Sequence, residues 1–243
     1  MHTVFIPGFA ARVDYMVPGS TYHAVYRQCV QKGHTFSMLT LPNAHAGSVD
    51  LGNATMDQLL VHTIRLYNQI VCEAGVGCVL VGHSMGGRLA FHAACSGALR
   101  VPPQRVVLVC PMFALPPLSW RDHILHLATS VYWPERLPGM PIPVARPSAL
   151  YDGSLSLCPS TKLHLPNSSI VACGQSMLWS VTPSMRMPVR LHCPITIYHS
   201  TGDTVAPCDG SRRVQERFKD LVVLHELGCD YHEPFDAFDV LGP

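Results

Sequence analysis

The stretch CVLVGHSMGGRLAFHAA, residues 78–94, decides the fold, because it passes from an apolar run into three glycines grouped around one serine. The apolar run at residues 78–81 is typical of a buried strand, and the residues from about 85 to 96 have helical periodicity. Glycine destabilises both strands and helices, so three glycines at this junction need a structural reason. The stretch therefore predicts a sharp turn between a strand and a helix that approach each other closely.

The same alternation of strand and helix runs through much of the chain. Strands are predicted at residues 3–6, 78–81, 105–110, 195–199 and 221–227, and also at residues 34–41, where the pattern alternates. Helices are predicted at residues 20–32, 55–73, 85–96 and 209–219, the first capped by Ser20 and the second opened by a capping box from Thr55 to Gln58. Short apolar strands alternating with amphipathic helices predict an α/β protein with a mostly parallel sheet of about six strands and helices on both faces.

The alternation stops between about residues 113 and 192, a segment that contains all three tryptophans of the chain. One amphipathic helix is predicted there, at residues 119–133. A structureless loop of this length is improbable inside a compact domain. We therefore expect a core formed by residues 1–112 and 193–243, with residues 113–192 inserted as a cap.

Composition excludes several classes of protein. The formal net charge is +1 and only 14% of the residues are charged, with no basic block and no acidic tail, so a nucleic-acid partner is not expected. No apolar run reaches the 18 residues that a membrane span requires, and the first residues lack the pattern of a secretory signal. These features favour a cytoplasmic protein.

The ten cysteines include no C-x-x-C pair, which argues against zinc-ribbon and thioredoxin-type sites. Several of them, such as Cys78 and Cys110, lie in apolar strand runs, where a reduced cysteine behaves as a small hydrophobic residue. The favoured interpretation is a set of core thiols in an intracellular protein. The even count leaves a secreted, disulfide-bonded form as the alternative.

The glycines of the opening stretch form the pattern Gly82-x-Ser84-x-Gly86, which is the pattern of a nucleophile elbow. A serine nucleophile needs a base, and the base needs an acid that orients it, in the chain order serine, acid, histidine. Asp203 follows the strand at residues 195–199, and His232 follows the last strand. Because parallel strands end at one edge of their sheet, Ser84, Asp203 and His232 are predicted to meet there.

Other residues compete for these roles. Asp230 and Asp209 are the alternative acids, and His225, inside the last predicted strand, is the alternative base. His83 precedes the serine and is interpreted as a packing residue whose side chain points away from it, with a role in the pocket as the lesser alternative. The histidines have no spacing that favours a metal site, so no metal is expected.

Together these motifs resemble the α/β-hydrolase fold superfamily over essentially the whole chain. The GHSMGG sequence around Ser84 is similar to the elbows of monoacylglycerol lipases and small carboxylesterases, and STGD followed by Val205 and a proline resembles the family's acid loop. Pro7-Gly8-Phe9-Ala10 is similar to the family's oxyanion loop. The resemblance implies that the backbone N–H groups of Phe9 and Met85 hold the oxyanion.

The chain departs from the family pattern in three places. Pro7 stands where the family usually has a histidine, so the hydrogen bonds that this histidine makes within the loop are lost. The chain starts at what is usually the family's third strand, which implies a minimal sheet of six strands. The residues after His232 leave room only for a short final helix, expected at residues 234–241.

The resemblance implies a serine esterase that needs no cofactor. The apolar composition of the cap favours a lipid-like ester, such as a monoacylglycerol or a lysophospholipid, and transient contact of the cap with a membrane surface. The candidate pocket residues are Trp120, Ile124, Leu127 and Val205. The alternatives are a short-chain esterase, a thioesterase, an acyltransferase on a small substrate, and a non-catalytic ligand receptor with the same fold. The oligomeric state is left open.

Overall fold

Six parallel strands form one sheet in the computed structural model, which describes residues 1–9, 11, 14–42, 56–114, 191 and 193–242. The strands are β1 His2–Ile6, β2 Thr35–Met38, β3 Cys78–His83, β4 Arg105–Val109, β5 Ile195–Ser200 and β6 Val222–Leu227. Their order across the sheet is β2-β1-β3-β4-β5-β6, and every neighbouring pair is parallel. The predicted α/β class and the six-stranded sheet are confirmed.

Helices pack on both faces of this sheet, as the sequence predicts. The described helices are α1 His23–Gln31, α2 Met56–Ala74, α3 Met85–Cys95 and α4 Asp209–Arg217. The apolar side chains of α2, α3 and α4 share one buried core, whereas those of α1 share a second core with the C-terminal segment. Among the described residues, none of the helices is both long and apolar enough to cross a membrane.

The central strand β3 explains why both faces must be covered. Cys78 and Leu80 belong to the core beneath α2 and α3, whereas Val79 and Val81 belong to the core beneath α1. All four side chains are almost completely buried. Burying a valine or leucine side chain contributes about 1.5–3 kcal/mol, so a strand that is apolar on both sides stabilises the sheet only between two layers of helix.

The first helix begins at His23, two residues later than an N-cap at Ser20 predicts. Residues 17–22 form successive turns, in which Ser20 donates its N–H to the Val17 carbonyl and accepts the N–H of His23. Tyr22, and not Ser20, is the N-cap, and no side chain caps the helix. Turn formation before the helix has therefore displaced the predicted cap.

The predicted final helix at residues 234–241 is wrong, because this segment forms turns. Gln28 of α1 binds the segment with its side-chain amide, which donates to the carbonyls of Phe235 (3.1 Å) and Phe238 (3.0 Å) and accepts the N–H of Val240 (2.9 Å). Backbone groups that a helix would pair internally are paired here by a side chain from α1.

The cap expected at residues 113–192 lies outside the described residues except at positions 113, 114 and 191. Its predicted helix at residues 119–133, and the division of the chain into core and cap, stay predictions.

Candidate active site

Ser84 lies on the turn that joins β3 to α3, with a backbone φ of 54° and ψ of −120°. A positive φ is uncommon and strained for a residue with a side chain. A Cβ on Gly82 would lie 2.5 Å from the Gly86 carbonyl oxygen, and a Cβ on Gly86 would collide with the carbonyls of Ile6 and Pro7. The glycines are therefore required, because strand and helix approach each other too closely for larger residues.

Backbone hydrogen bonds hold the turn in this conformation. The N–H of Ser84 donates to the carbonyl of Val109 at 3.0 Å. The Ser84 carbonyl accepts from Arg88 N–H at 3.2 Å and from Met112 N–H at 2.9 Å. Because α3 begins at Met85, the first N–H groups of that helix have no partner earlier in the helix, and a helix N-terminus of this kind favours an anion.

Asp203 and His232 are joined by a hydrogen bond of 2.7 Å from His232 Nδ1 to Asp203 Oδ2. Asp203 lies in the loop after β5 and His232 in the loop after β6, and both side chains are almost completely buried. The second carboxylate oxygen of Asp203 accepts the N–H groups of Val205 at 2.8 Å and Ala206 at 3.0 Å. These bonds fix the orientation of the carboxylate.

The electrostatics of Asp203 follow from these contacts. Burial acts to raise its pKa, but the neighbouring imidazoles of His199 and His232 and the N–H of Ala206 favour the charged form and lower the pKa below its ordinary value. Asp203 is therefore an ionised acceptor at neutral pH. It keeps the proton of His232 on Nδ1 and leaves Nε2 as the basic nitrogen.

His199, near the end of β5, is hydrogen-bonded to the loop that carries Asp203. Its Nε2–H donates to the Ala206 carbonyl at 2.7 Å, and its Nδ1 accepts the hydroxyl of Ser211 at 2.7 Å. The same Nε2 lies 3.6 Å from Asp203 Oδ2, beyond ordinary hydrogen-bond length. His199 thus links strand β5, the acid loop and helix α4.

His83 connects the serine turn with the loop of His232. Its Nε2 lies 2.9 Å from the backbone carbonyl oxygen of His232, and the two imidazole centroids are 4.8 Å apart. Because Ser84 directly follows His83, this contact brings the turn and the His232 loop to the same place at the edge of the sheet.

The loop at residues 7–9 approaches the same place. A Cβ on Gly8 would lie 3.3 Å from Ser84 Cβ, so the Gly8 backbone is in close contact with the serine. Gly8 N–H donates to the hydroxyl of Tyr22 at 2.9 Å. The loop in which Pro7 stands in place of a histidine is therefore held by a tyrosine from the start of α1. Phe9, which follows Gly8, is half-buried.

Cys110 lies close to Asp203 and His232. Its Sγ, a carboxylate oxygen of Asp203 and a ring nitrogen of His232 all lie within 4.8 Å of one another, a set that could in principle hold a metal ion. Burial and the charge of Asp203 raise the pKa of the Cys110 thiol well above its ordinary value. A protonated thiol beside an existing carboxylate–imidazole hydrogen bond favours the hydrogen-bonded arrangement over metal coordination.

The competing acids and base are exposed, and the hydrogen bond to His232 Nδ1 is made by Asp203. Asp230 is exposed and lies against Gly202, while Asp209 is exposed and pairs with Arg212 at 2.8 Å. His225 is exposed on β6 and stacks on Tyr198 with ring centroids 4.9 Å apart.

Of the candidate pocket residues, Val205 is half-buried in the loop that binds Asp203. The other three, Trp120, Ile124 and Leu127, lie outside the described residues.

Sequence reasoning missed the supporting roles of Tyr22, His83, His199 and Cys110. Two of these roles could have been found from the sequence, because His83 and His199 are polar residues that end apolar strands at the edge where the site is predicted. The sequence gives no such signal for Tyr22, because an aromatic residue near the start of a predicted helix is typical of packing. Cys110 was interpreted only as a core thiol.

Comparison with known proteins supports the same family. The model of the alpha/beta hydrolase family matches residues 4–238. A search of curated protein sequences finds no match. Solved structures with a similar fold include the monoacylglycerol lipase of Paleococcus ferrophilus, with 17% identity and a TM-score of 0.59 over 97% of this chain and 87% of that chain.

Two further structures are similar. Mouse alpha/beta hydrolase domain-containing protein 10 has 19% identity and a TM-score of 0.60 over 99% of this chain and 85% of that one. A lipase-esterase related protein from Clostridium acetobutylicum has 12% identity and a TM-score of 0.66, covering 96% and 87% of the two chains. At these identities the likeness concerns the fold. With the family match across nearly all of its length, the chain belongs to the alpha/beta hydrolase family.

Proposed function

We propose that the protein is a serine hydrolase that cleaves a carboxylic ester through Ser84, Asp203 and His232. The observation that carries this proposal is the buried 2.7 Å bond between Asp203 and His232, at the sheet edge where the strained turn presents Ser84. A charged acceptor on Nδ1 leaves Nε2 free to take a proton from a serine hydroxyl. An oriented base beside a serine on a tight turn is the arrangement that acyl transfer needs.

The reaction follows from these roles. His232 Nε2 removes the proton of Ser84 as its Oγ attacks the ester carbonyl, and Asp203 stabilises the imidazolium that forms. The backbone N–H groups of Phe9 and Met85 stabilise the tetrahedral oxyanion. The imidazolium then protonates the leaving alcohol, and water activated by the same histidine releases the acid from the acyl-enzyme.

A lipid-like ester, such as a monoacylglycerol or a lysophospholipid, is the proposed substrate class. The support is the apolar composition of residues 113–192, which includes Trp120, Ile124 and Leu127, together with Val205 beside the acid. Apolar side chains over a catalytic cleft suit an acyl chain. A monoacylglycerol lipase is also among the proteins of similar fold.

A fluorophosphonate probe tests the hydrolase assignment. Wild-type protein should form a covalent adduct at Ser84 that peptide mass spectrometry locates, and Ser84→Ala should form none. Labelling at another residue, or intact ester hydrolysis in Ser84→Ala, would contradict the mechanism. An unlabelled and inactive wild-type protein would favour the non-catalytic receptor.

A panel of p-nitrophenyl esters of increasing acyl length, run beside a monoacylglycerol, tests the substrate class. Each buried methylene contributes about 0.8 kcal/mol, so kcat/KM should rise with chain length. Ile124→Ser or Leu127→Ser should lower kcat/KM for long esters and leave acetate hydrolysis nearly unchanged. Equal losses of kcat/KM on long and short esters, together with a lower Tm, would contradict the lipid-like substrate and indicate a general short-chain esterase.

A further inference from the structure

Three hydrogen bonds form a continuous chain behind the candidate site. Gly8 N–H bonds the Tyr22 hydroxyl at 2.9 Å, this hydroxyl bonds His83 Nδ1 at 3.0 Å, and His83 Nε2 bonds the His232 carbonyl at 2.9 Å. The chain therefore connects the loop at residues 7–9 with the loop that carries His232. Of its middle members, Tyr22 is the N-cap residue of α1 and His83 is the last residue of β3.

The partners at each end fix the direction of every bond. The His232 carbonyl can only accept, so His83 Nε2 carries a proton. Burial beside His232 lowers the pKa of His83 to about 3, so at neutral pH its Nδ1 carries none and accepts the hydroxyl proton of Tyr22. The Tyr22 oxygen is then free to accept the N–H of Gly8. One arrangement of protons satisfies all three bonds.

The surroundings of the chain favour a fixed geometry. Tyr22 is 1% exposed and His83 is 2% exposed. Phe235 packs edge-on against both, with centroids 5.5 Å from Tyr22 and 5.1 Å from His83. In such a buried environment a hydrogen bond is strong, and leaving one of its partners unpaired is costly.

We propose that Tyr22 and His83 are positioning residues for the hydrolytic reaction, holding the oxyanion loop and the catalytic histidine at a fixed separation. The inference rests on the proposed function, and it assigns these two residues no contact with the substrate. It also explains how a loop with Pro7 in place of a histidine keeps its shape, because the anchor comes from Tyr22.

Positioning matters at this site because two charges develop at once. The oxyanion forms beside Phe9 N–H while His232 becomes an imidazolium, and a shift of about 1 Å in either partner can slow a reaction roughly a hundredfold. A neutral His83 also adds no positive charge beside that imidazolium. The chain thus acts through geometry and leaves the charge of the reacting groups unchanged.

Tyr22→Phe tests the proposal, with Tyr67→Phe as the matched control. Tyr67 is also fully buried and its hydroxyl also makes two hydrogen bonds, to Cys78 Sγ at 2.6 Å and the Val101 carbonyl at 3.0 Å, but it lies in α2. Tyr22→Phe should lower kcat about 10- to 100-fold on p-nitrophenyl acetate with KM changed less than threefold. Tyr67→Phe should keep kcat within threefold at a similar loss of Tm. Equal effects on kcat would overturn the proposal.

The double variant Tyr22→Phe, His83→Gln tests whether the two residues act as one unit. Glutamine can place its amide N–H near the position of Nε2, which preserves the bond to the His232 carbonyl and removes the bond to Tyr22. The double variant should therefore be no slower than the slower single variant. If the losses in kcat of the two single variants multiply in the double variant, the residues act independently and the proposed coupling is overturned.

A spectroscopic measurement separates this inference from the proposed function. In protein labelled with ¹⁵N-histidine at pH 7.5, His83 should appear as the neutral Nε2–H tautomer, and Tyr22→Phe should shift its Nδ1 resonance. This outcome does not depend on turnover, so it decides the coupling of the two loops even if wild-type protein hydrolyses no ester. An Nδ1–H tautomer of His83, or an Nδ1 resonance that Tyr22→Phe does not shift, would overturn the proposed chain of hydrogen bonds.

Discussion

Asp203 accepts the Nδ1–H of His232 across 2.7 Å, with the carboxylate completely shielded from solvent and the imidazole 7% exposed. Charged acceptors strengthen a hydrogen bond, and exclusion of water prevents competition for it. The other carboxylate oxygen is held by two backbone N–H groups, so the carboxylate cannot rotate away. The tautomer of His232 is therefore determined by a rigid partner.

Replacing this acceptor should disable the base. Asp203→Asn presents an amide that can donate to Nδ1 and so favours the tautomer with its proton on Nε2, which cannot accept the serine proton. We expect kcat for ester hydrolysis to fall by about 10³–10⁴-fold. Asp230→Asn is the matched control, because it makes the same change at an exposed carboxylate nearby and should keep kcat within threefold. A larger loss in Asp230→Asn would assign the acid to that residue.

The strained backbone of Ser84 predicts that glycine is more stable than alanine at this position, although neither variant is active. With φ at 54°, alanine keeps the strain of a residue that has a Cβ, whereas glycine removes it. Ser84→Gly should therefore be more stable than Ser84→Ala by roughly 1 kcal/mol, while both are inactive. Urea unfolding of the two variants measures the difference. A less stable glycine variant would mean that the turn stores no such strain.

The fold could be predicted from the sequence because its signals are local. Apolar runs such as residues 105–110 and the glycines around Ser84 define strands and a turn without knowledge of their partners. The Asp203–His232 pair could be proposed because strand ends of a parallel sheet share an edge. Ser20 was misleading, because turns across residues 17–22 compete with capping and are not visible in the pattern of apolar residues.

The supporting contacts could not be predicted, because they join residues far apart in the chain. Tyr22 and His83 are 61 residues apart, and His83 and His232 are 149 apart. Gln28 and Val240 are separated by 212 residues. No periodicity encodes such pairs, since each depends on how helix α1 and the C-terminal segment dock on the same face of the sheet. The final helix was wrongly predicted for that reason.

The buried His83 predicts that stability falls in mild acid. Its pKa is lowered to about 3 by burial and by the neighbouring His232, whereas a histidine in an unfolded chain has a pKa of about 6.5. Between these two pKa values, the histidine at position 83 is protonated in the unfolded chain but neutral in the folded protein. The stabilising contribution is thus complete above about pH 6.5 and is lost as the pH falls towards 3, by up to about 1.4 kcal/mol per pH unit.

His83→Gln should lack this dependence. Urea unfolding at several values between pH 7.5 and pH 4.5 should show the free energies of unfolding of wild type and His83→Gln converging as the pH falls. The acid-sensitive carboxylate of Asp203 is present in both proteins, so it does not account for convergence. Parallel curves would mean that His83 titrates in the folded protein as it does in the unfolded chain.

The side chain of Gln28 predicts a stabilising role for a residue remote from the chemistry. It makes three hydrogen bonds to the backbone of residues 235–240, and Phe235 in that segment packs against both Tyr22 and His83. Gln28→Ala should leave these backbone groups without their partner and lower the free energy of unfolding by roughly 1–3 kcal/mol.

Gln69→Ala is the matched control for this change, because Gln69 also lies on a helix but is exposed and donates to Glu73 at 3.1 Å. Its effect on stability should stay within about 0.5 kcal/mol. Thermal unfolding compares the two variants, and kcat on p-nitrophenyl acetate should fall more in Gln28→Ala than in Gln69→Ala, because Phe235 loses its anchored backbone beside His83. If the two variants have equal Tm values, Gln28 does not hold the C-terminal segment, and the packing of Phe235 alone must keep it in place.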